Sequence, residues 1–538
     1  MDLKVNQACV FYNYALGFDI SEIDLLKTGE AIISSGLALS VFFSDYKYIY
    51  FNENKKIDIG LLEIKRNSQN REWDIVFEKN TPDDIVGDLS NSLSLAFHEE
   101  NIQSQNLNYL RCNLPPLILD DEDYNYPLNS SVKIYSNGLA ILSFQLDATW
   151  DGLEEPDFLS GVVNLISRNF SFIWLDSRLQ TIDAEIVMKN AFEDMFSIAG
   201  VGFKSKSVKR LIKKMKLDSS KVIEDSLNGG GQEFNVGGRS WLLYKIFGTE
   251  TQESAQSNLE MCRSIYCSVI SSIVIQANKK NQHNPIDFIW QGRPSVSLLR
   301  FDDQPSTKGC LYDDFSNSLS RILIRFYKLD NIPELPPDLR MSDESCLHAN
   351  RSVILRTCLR RDGEGDNIWH DRQAISNIYE NQARSEQLEY YNMLIYRACD
   401  WVHTPLNDKN LLHAYKTLSK FDRSVHISSY SGEIVSTIIY FIKSSGSYDL
   451  IDSSKESAKF YLDEIKYKAD IRKGKNDQML TFIFGLIGAT GLSDFLVRPF
   501  VKEMFPFLKA LFVPLVSFSV VGIIIFLVYL IIRLVKKI

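Results

Sequence analysis

The sequence predicts an α+β fold with a β-rich N-terminal region, a mixed α/β middle, a helical stalk region and a C-terminal transmembrane helical hairpin. Alternating apolar and polar residues mark strands near the N-terminus. Long helical patterns fill residues 372–475. Two apolar runs lie near the C-terminus, at 479–497 and 510–532. Their lengths are close to the about 20 residues that a helix needs to cross a bilayer.

Four domains follow from these patterns. We predict a β-rich cytosolic domain at 1–150, a mixed α/β ligand-sensing domain at 151–370, a helical region with a stalk helix at 371–477 and a transmembrane hairpin at 478–538.

The strands of the first domain are predicted from period-two alternation, since successive side chains of a strand point to opposite faces. The segments with this pattern are GLALSVFFSDYKYIYF, DIGLLEIKR and NREWDIVFEK. In the middle domain, SVSLLRFDD and SVILRTCLRRD also indicate strands. The glycine-rich NGGGQEFNVGG at 228–238 predicts a loop or a hairpin, because it lacks the G-K-[ST] ending of a phosphate-binding loop.

Helices are predicted in the middle and in the third domain. Residues 254–280 form a long, largely apolar candidate core helix. RQAISNIYENQARSEQLEYYNMLIYRACDWV predicts one long helix that ends before Pro405. The capping-box pattern at Ser453–Glu456 predicts the start of a stalk helix that runs into the first apolar run.

Composition limits the class of protein. The 538 residues are 45% hydrophobic and 24% charged, as in a folded protein with a substantial core, and the net charge of −9 argues against a general nucleic-acid coat. The eight cysteines form no C-x-x-C pair, so we expect free, mostly buried thiols. We expect no metal and no cofactor, and the N-terminus lacks the pattern of a secretory signal.

The first apolar run carries small residues that suit close helix packing. Gly485, Gly488 and Gly491 recur at spacing three, which predicts a face for homo-oligomers around a central pore. Asp494 has two interpretations: a ring of carboxylates that selects cations, or an ion pair with Arg498 one turn away.

The positions of Lys and Arg predict the orientation of the hairpin. Eight basic residues flank its two outer ends, and three lie in the link between the runs. By the positive-inside rule, both termini are then cytoplasmic. We therefore predict a bacterial inner membrane protein with two spans.

This layout resembles CorA-like magnesium channels over about residues 454–538. Members of that family end the first span with Tyr-Gly-Met-Asn, whereas Gly491–Phe495 reads Gly-Leu-Ser-Asp-Phe, so the resemblance is architectural. The whole chain also resembles the Hailong type of anti-phage membrane effectors. That resemblance implies a channel held shut by a nucleotide or short DNA ligand and opened during infection.

A basic segment is the first candidate ligand site, and its apolar residues recur at helical spacing. It could contact phosphates, lie on an anionic membrane, or form a solvated helix face. Its candidate ligand-binding residues are Lys204, Lys206, Lys209, Arg210, Lys213 and Lys214.

Arg356 and Arg360 are the second candidate ligand site, since alternate residues of a strand share one face and guanidinium forks match phosphate geometry. Pairing with Asp362, Glu364 or Asp366 is the structural alternative.

No catalytic motif is present, so we predict a protein that is not an enzyme. The predicted function is a homo-oligomeric channel effector, gated by a nucleotide or short oligonucleotide, that depolarises the membrane in anti-phage defence, with a nucleotidyltransferase as a candidate partner. The alternatives are a CorA-like divalent cation transporter and a membrane-anchored binding or scaffold protein.

Overall fold

A computed structural model describes most of the chain, in two compact units: Met1–Thr404 with His413–Ser454, and Pro405–Leu412 with Lys455–Ile538. The described residues are 2–18, 22–52, 54–66, 73–100, 108–121, 124–198, 210, 213–214, 221, 230–246, 258–277, 286–340, 342–361, 368–403, 411–419, 440, 443–444, 447–506 and 512–535.

The strands belong to the first unit. In chain order they are β1 Lys4–Phe18, β2 Ser40–Phe43, β3 Lys47–Phe51, β4 Ile57–Leu61, β5 Glu63–Arg66, β6 Trp73–Val76, β7 Tyr109–Asp121, β8 Tyr124–Tyr135, β9 Leu139–Glu154, β10 Phe172–Leu175, β11 Gln232–Val236, β12 Arg239–Lys245, β13 Ile286–Gln291, β14 Ser295–Phe301, β15 Ser345–Ala349 and β16 Ile354–Cys358.

Helices longer than one turn include α1 Leu25–Ser34, α2 Asp83–Glu100, α3 Ser177–Ile198, α4 Leu259–Ile273, α5 Lys308–Ile324, α6 Arg372–His403, α7 Ser447–Leu492, α8 Arg498–Met504 and α9 Val513–Val535. Short helical turns lie at Glu155–Asp157, Phe158–Val163, Leu165–Ser167, Ile368–His370 and Ser493–Val497.

A 14-stranded mixed sheet organises the described part of the first unit, in the order β11-β12-β10-β7-β8-β9-β1-β14-β16-β15, with β2, β3, β4 and β13 attached beside it. Its pairs are antiparallel except β14 with β16, which is parallel. The sheet crosses the boundary predicted at residue 150, because β14 pairs along β1. The chain is therefore mixed α/β, and the predicted α+β class with a transmembrane hairpin is wrong.

The two faces of the central sheet differ in chemistry. One face carries the main apolar core, in which Tyr12, Phe144 and Val132 pack under α1, α4 and α5. The opposite face lies under α2 and α6 and has a smaller apolar cluster around Tyr135 and Met393. Much of the second face is polar, which gives rise to the candidate site described below.

Several predicted elements are confirmed. The predicted helix within 254–280 is α4, capped by the Asn258 side chain, which accepts a hydrogen bond from the Met261 amide. The long polar helix before Pro405 is α6. The glycine-rich segment predicted as a loop or a hairpin contains β11 and the turn of the β11–β12 hairpin at Gly237 and Gly238.

The helix start predicted from the capping-box pattern at Ser453–Glu456 is wrong. Helix α7 begins earlier, at Ser447.

The prediction of two membrane spans is wrong. In the part of the chain that the structure describes, no helix combines the length and the apolar character that a bilayer crossing requires. The run at 479–497 is not a separate helix: it continues from the charged residues of α7 and passes into a π-helical turn at Ser493–Val497.

This finding also overturns the predictions that depended on the spans. The predicted 478–538 transmembrane hairpin, the bacterial inner membrane location and the description of the protein as a membrane ion channel are wrong.

Candidate ligand-binding site

A row of polar side chains crosses four adjacent strands on the face beneath α6. The register pairs Asn13 of β1 with Ser143 of β9, Ser143 with Ser131 of β8, and Ser131 with Asn113 of β7. Because alternate residues share a face, these four side chains point to the same side of the sheet. On the same strands, residues next to this row in sequence, such as Tyr12, Phe144 and Val132, lie on the other side, in the main core.

Helix α6 meets this row with polar side chains of its own. Asn13 Nδ2 donates to Ser385 Oγ at 3.0 Å, and Gln382 Nε2 donates to Asn13 Oδ1 at 2.9 Å. Ser143 Oγ donates to Asn13 Oδ1 at 2.7 Å. All four side chains are buried, so their hydrogen bonds replace the water that each lost on folding.

Four buried charges extend the polar layer towards α2. Arg111 donates to Glu386 and, at 2.7 Å, to Glu99, and Lys133 Nζ lies 2.6 Å from the same Glu99 oxygen. Burial alone would raise the pKa of Glu99, but the two cations outweigh it and hold the pKa below its ordinary value. Burial lowers the pKa of Lys133, against the attraction of Glu99. The two cations and two anions balance.

A second cluster joins α6 to β16. Glu380 Oε1 accepts from Arg340 at 2.6 Å and Arg384 at 2.7 Å, and Oε2 accepts from Arg356 at 2.9 Å. Burial alone would raise the pKa of Glu380, but the three guanidiniums outweigh it and lower the pKa to about 2. Arg356 also donates to the Asn377 side chain at 2.8 Å.

A cavity of about 300 Å³ opens at the edge of the polar layer. The sheet, α2, the β11–β12 hairpin and Tyr379 of α6 contribute its walls. Its volume is at the lower end of the about 300–1,000 Å³ common for small-molecule sites. Side-chain amides and aromatic rings line it together: Asn91, Asn113, Asn129, Gln145, Phe11, Trp241 and Tyr379.

The hairpin wall is held against α2 by an ion pair. Arg239 Nη1 lies 3.1 Å from Asp88 Oδ1, and Nη2 donates to the Asp84 carbonyl at 2.6 Å. Gly237 has φ of +62°, and a Cβ there would lie 3.0 Å from Asn129 Oδ1. Glycine thus allows the turn to approach the sheet, where it forms one side of the cavity.

The charges that line the cavity balance. Its acids are Asp84 and Asp88, and its cations are Arg111 and Arg239. Arg239 already pairs with Asp88, and Arg111 pairs with two glutamates outside the lining. The cavity is therefore suited to a polar ligand that needs hydrogen bonds and a stacking surface more than charge neutralisation.

The basic segment predicted to bind ligand lies mainly outside the described residues, including Lys204, Lys206 and Lys209. Arg210, Lys213 and Lys214 are helical and exposed. Their ligand-binding role stays a prediction.

Arg356 and Arg360, the second predicted ligand site, have different surroundings. Arg356 is 1% exposed and bonded to α6, whereas Arg360 is exposed and its amide donates to the Pro305 carbonyl at 2.9 Å. Arg356 and Cys358 do share a face of β16, since both contact Asn377. The acids proposed as structural partners, at 362–366, lie outside the described residues, and Glu380 takes that place. Ligand binding by Arg356 and Arg360 stays a prediction.

The glycine face predicted in the second unit can be described only in part. A Cβ on Gly488 or Gly491 would meet no described atom within 4 Å, and the surroundings of Gly485 lie outside the described side chains. Asp494 Oδ1 accepts from Arg498 Nη1 at 3.0 Å, which is the ion pair predicted as the alternative to a ring of carboxylates. Homo-oligomerisation stays a prediction.

The chain matches no known family of proteins, no curated protein and no solved structure. The resemblances to CorA-like channels and to Hailong-type effectors therefore stay predictions.

The cavity residues were missed at the sequence level. Asn113, Asn129 and Gln145 belong to three strands, β7, β8 and β9, and they line one cavity only because those strands pair. One signal was present: α6 has polar residues on every side of the helix, which is unusual for a helix of its length unless polar partners cover it.

Proposed function

We propose that the first unit is a binding module for a nucleoside or nucleotide, held in the cavity by its base. One observation carries the proposal: Trp241 and Tyr379 line the same cavity as four side-chain amides. Base rings stack on aromatic side chains, and the amides of Asn and Gln can donate to and accept from a base edge at once.

The lining favours binding over catalysis. Among the described residues around the cavity there is neither a cysteine nor a histidine, and the buried Asp88 carboxylate is tied to structural partners. Asp88 holds Arg239, and its backbone carbonyl accepts from Asn113 Nδ2 at 2.9 Å. These groups fix the walls of the cavity and are poorly placed to exchange protons with a ligand.

The charge balance also bears on which part of a nucleotide is recognised. Since the acids and cations of the lining are equal in number, a phosphate gains little there. We therefore expect a nucleoside and its monophosphate to bind with similar affinity.

The channel and transporter functions are not proposed, because both require a membrane span. A scaffold role, a homo-oligomer and a partner nucleotidyltransferase stay predictions.

The test is isothermal titration calorimetry on the full chain with the common ribonucleosides and their 5′-monophosphates. We expect one base to bind saturably, and Trp241→Ala to weaken it by about 1–3 kcal/mol, or about 5- to 150-fold. The matched control is Trp150→Ala, since Trp150 lines a different cavity with Asp157 and Arg168.

Two results would contradict the proposal. Either no nucleoside or nucleotide binds, or Trp241→Ala binds as tightly as the parent chain. Monophosphate binding that is far tighter than nucleoside binding and falls steeply with salt would instead indicate a phosphate site, such as the basic segment at 204–216.

A further inference from the structure

A cluster of potential metal ligands lies on the other side of the sheet, between α5 and β15. Cys346 and His348 are alternate residues of β15, so both side chains project towards α5. Asp338 belongs to the irregular segment that joins these two elements. One carboxylate oxygen of Asp338, the Cys346 sulfur and one ring nitrogen of His348 all lie within 4.8 Å of one another.

The histidine is held as metal-binding histidines usually are. His348 is 1% exposed, and its Nδ1 lies 2.8 Å from the Pro336 carbonyl. That contact places the proton on Nδ1 and leaves a lone pair on Nε2, which is buried and has no hydrogen-bond partner within the described chain. A backbone carbonyl on the distal nitrogen is the common means by which proteins orient a metal-binding imidazole.

The carboxylate is positioned in a comparable way. Asp338 Oδ1 accepts from the amides of Arg340 and Leu347, each at 2.9 Å, so the segment and the strand fix its orientation. Asp338 Oδ2 faces Tyr312 OH at 3.0 Å, and the same hydroxyl lies 3.1 Å from Cys346 Sγ. Lys308 Nζ also contacts Oδ2, at 2.7 Å, but has a second acceptor in the Arg340 carbonyl at 2.8 Å.

We propose that Asp338, Cys346 and His348 bind one Zn²⁺ ion that fastens the segment before β15 to the sheet. Sulfur, imidazole nitrogen and carboxylate oxygen are the donors that Zn²⁺ takes, and a tetrahedral site places them about 3.3–3.8 Å apart. Since the ligand atoms lie within 4.8 Å of one another, they need to approach by at most about 1 Å. Tyr312 OH contacts both Asp338 Oδ2 and Cys346 Sγ, so it is the candidate for the fourth position.

Metal binding at this site is coupled to a proton. A cysteine that binds no metal is mostly a protonated thiol near neutral pH, whereas Zn²⁺ binds the thiolate. On binding, the S–H bond breaks, the sulfur forms a bond to Zn²⁺, and the proton leaves to solvent. Zinc uptake by the full chain should therefore release a proton and should weaken as the pH falls.

The experiment is metal analysis of the full chain, first stripped with a chelator and then dialysed against Zn²⁺ or Co²⁺. We expect one metal per chain, a thiolate-to-cobalt charge-transfer band, and a higher melting temperature with Zn²⁺. Cys346→Ser should lose the band, and His348→Gln should lose the bound metal. Cys310→Ser is the matched control, because Cys310 is an exposed thiol on the adjoining helix and should leave all three readouts unchanged.

The cobalt band on the parent chain keeps the proposal testable even if both ligand variants fail to fold. A parent chain that takes up no metal and shows no band would overturn the proposal. Equal metal content in the parent chain, Cys346→Ser and His348→Gln would overturn it as well.

Discussion

Glu380→Gln tests how strongly α6 is fixed to the sheet by charge. The substitution keeps the shape of the side chain but removes the negative charge that faces Arg340, Arg356 and Arg384 at 2.6–2.9 Å. Three guanidiniums would then lie together with no carboxylate between them. Removing one partner of a buried ion pair is costly because the opposite charge stays buried.

The pKa of Glu380 gives the size of the effect. It falls from an ordinary value of 4.5 to about 2, which corresponds to about 3 kcal/mol of stability near neutral pH. Because the folded pKa is the lower one, this stability is fully present above about pH 4.5 and is lost as the pH falls towards 2. We therefore expect Glu380→Gln to be destabilised at pH 7 and to converge with the parent chain near pH 2.

Urea unfolding followed by tryptophan fluorescence is the appropriate measurement. All seven tryptophans lie between residues 73 and 401, so the signal reports the first unit alone. The control is Glu154→Gln, which breaks the exposed pair with Lys4 and should leave the urea midpoint unchanged. A Glu380→Gln midpoint equal to that of Glu154→Gln at pH 7, or a difference that does not shrink in acid, would refute the reasoning.

Two smaller changes test other parts of the chain. Gly237→Ala should cost about 1–2 kcal/mol of stability, since φ is +62° and the added methyl group crowds Asn129, whereas Gly309→Ala in open space at the start of α5 should not destabilise. The urea midpoints of the two variants measure this, and equal midpoints would contradict the prediction. Asp494→Asn should leave the thermal melting curve unchanged, because its pair with Arg498 is exposed; a clear loss of stability would show a buried role.

Local pattern was enough to predict individual elements. The strands β3, β14 and β16 and the helices α4 and α6 fall within segments chosen from periodicity alone. Such patterns depend on neighbours a few residues apart, which the sequence displays directly. The free state of all eight cysteines was likewise predictable, and seven of them are buried.

The arrangement of those elements could not be predicted in the same way. Strand β1 pairs with β9 on one side and with β13 and β14 on the other, so its neighbours lie more than one hundred residues away. The two apolar runs near the C-terminus illustrate the opposite error. Apolar length alone predicts a span at each run, but the first run continues a charged helix.

The polar layer also constrains how the sheet can pair. Along β8, Val132 faces the main apolar core and Lys133 faces Glu99 beneath α2. A slip of one residue exchanges the two faces of a strand, so it would turn Lys133 into the apolar core and remove it from Glu99. Burying an unpaired charge in an apolar core costs a large amount of free energy. A strand with two similar apolar faces would lose far less stability on such a slip. The buried hydrogen bonds therefore select one register, and that same register places the amides of the cavity side by side.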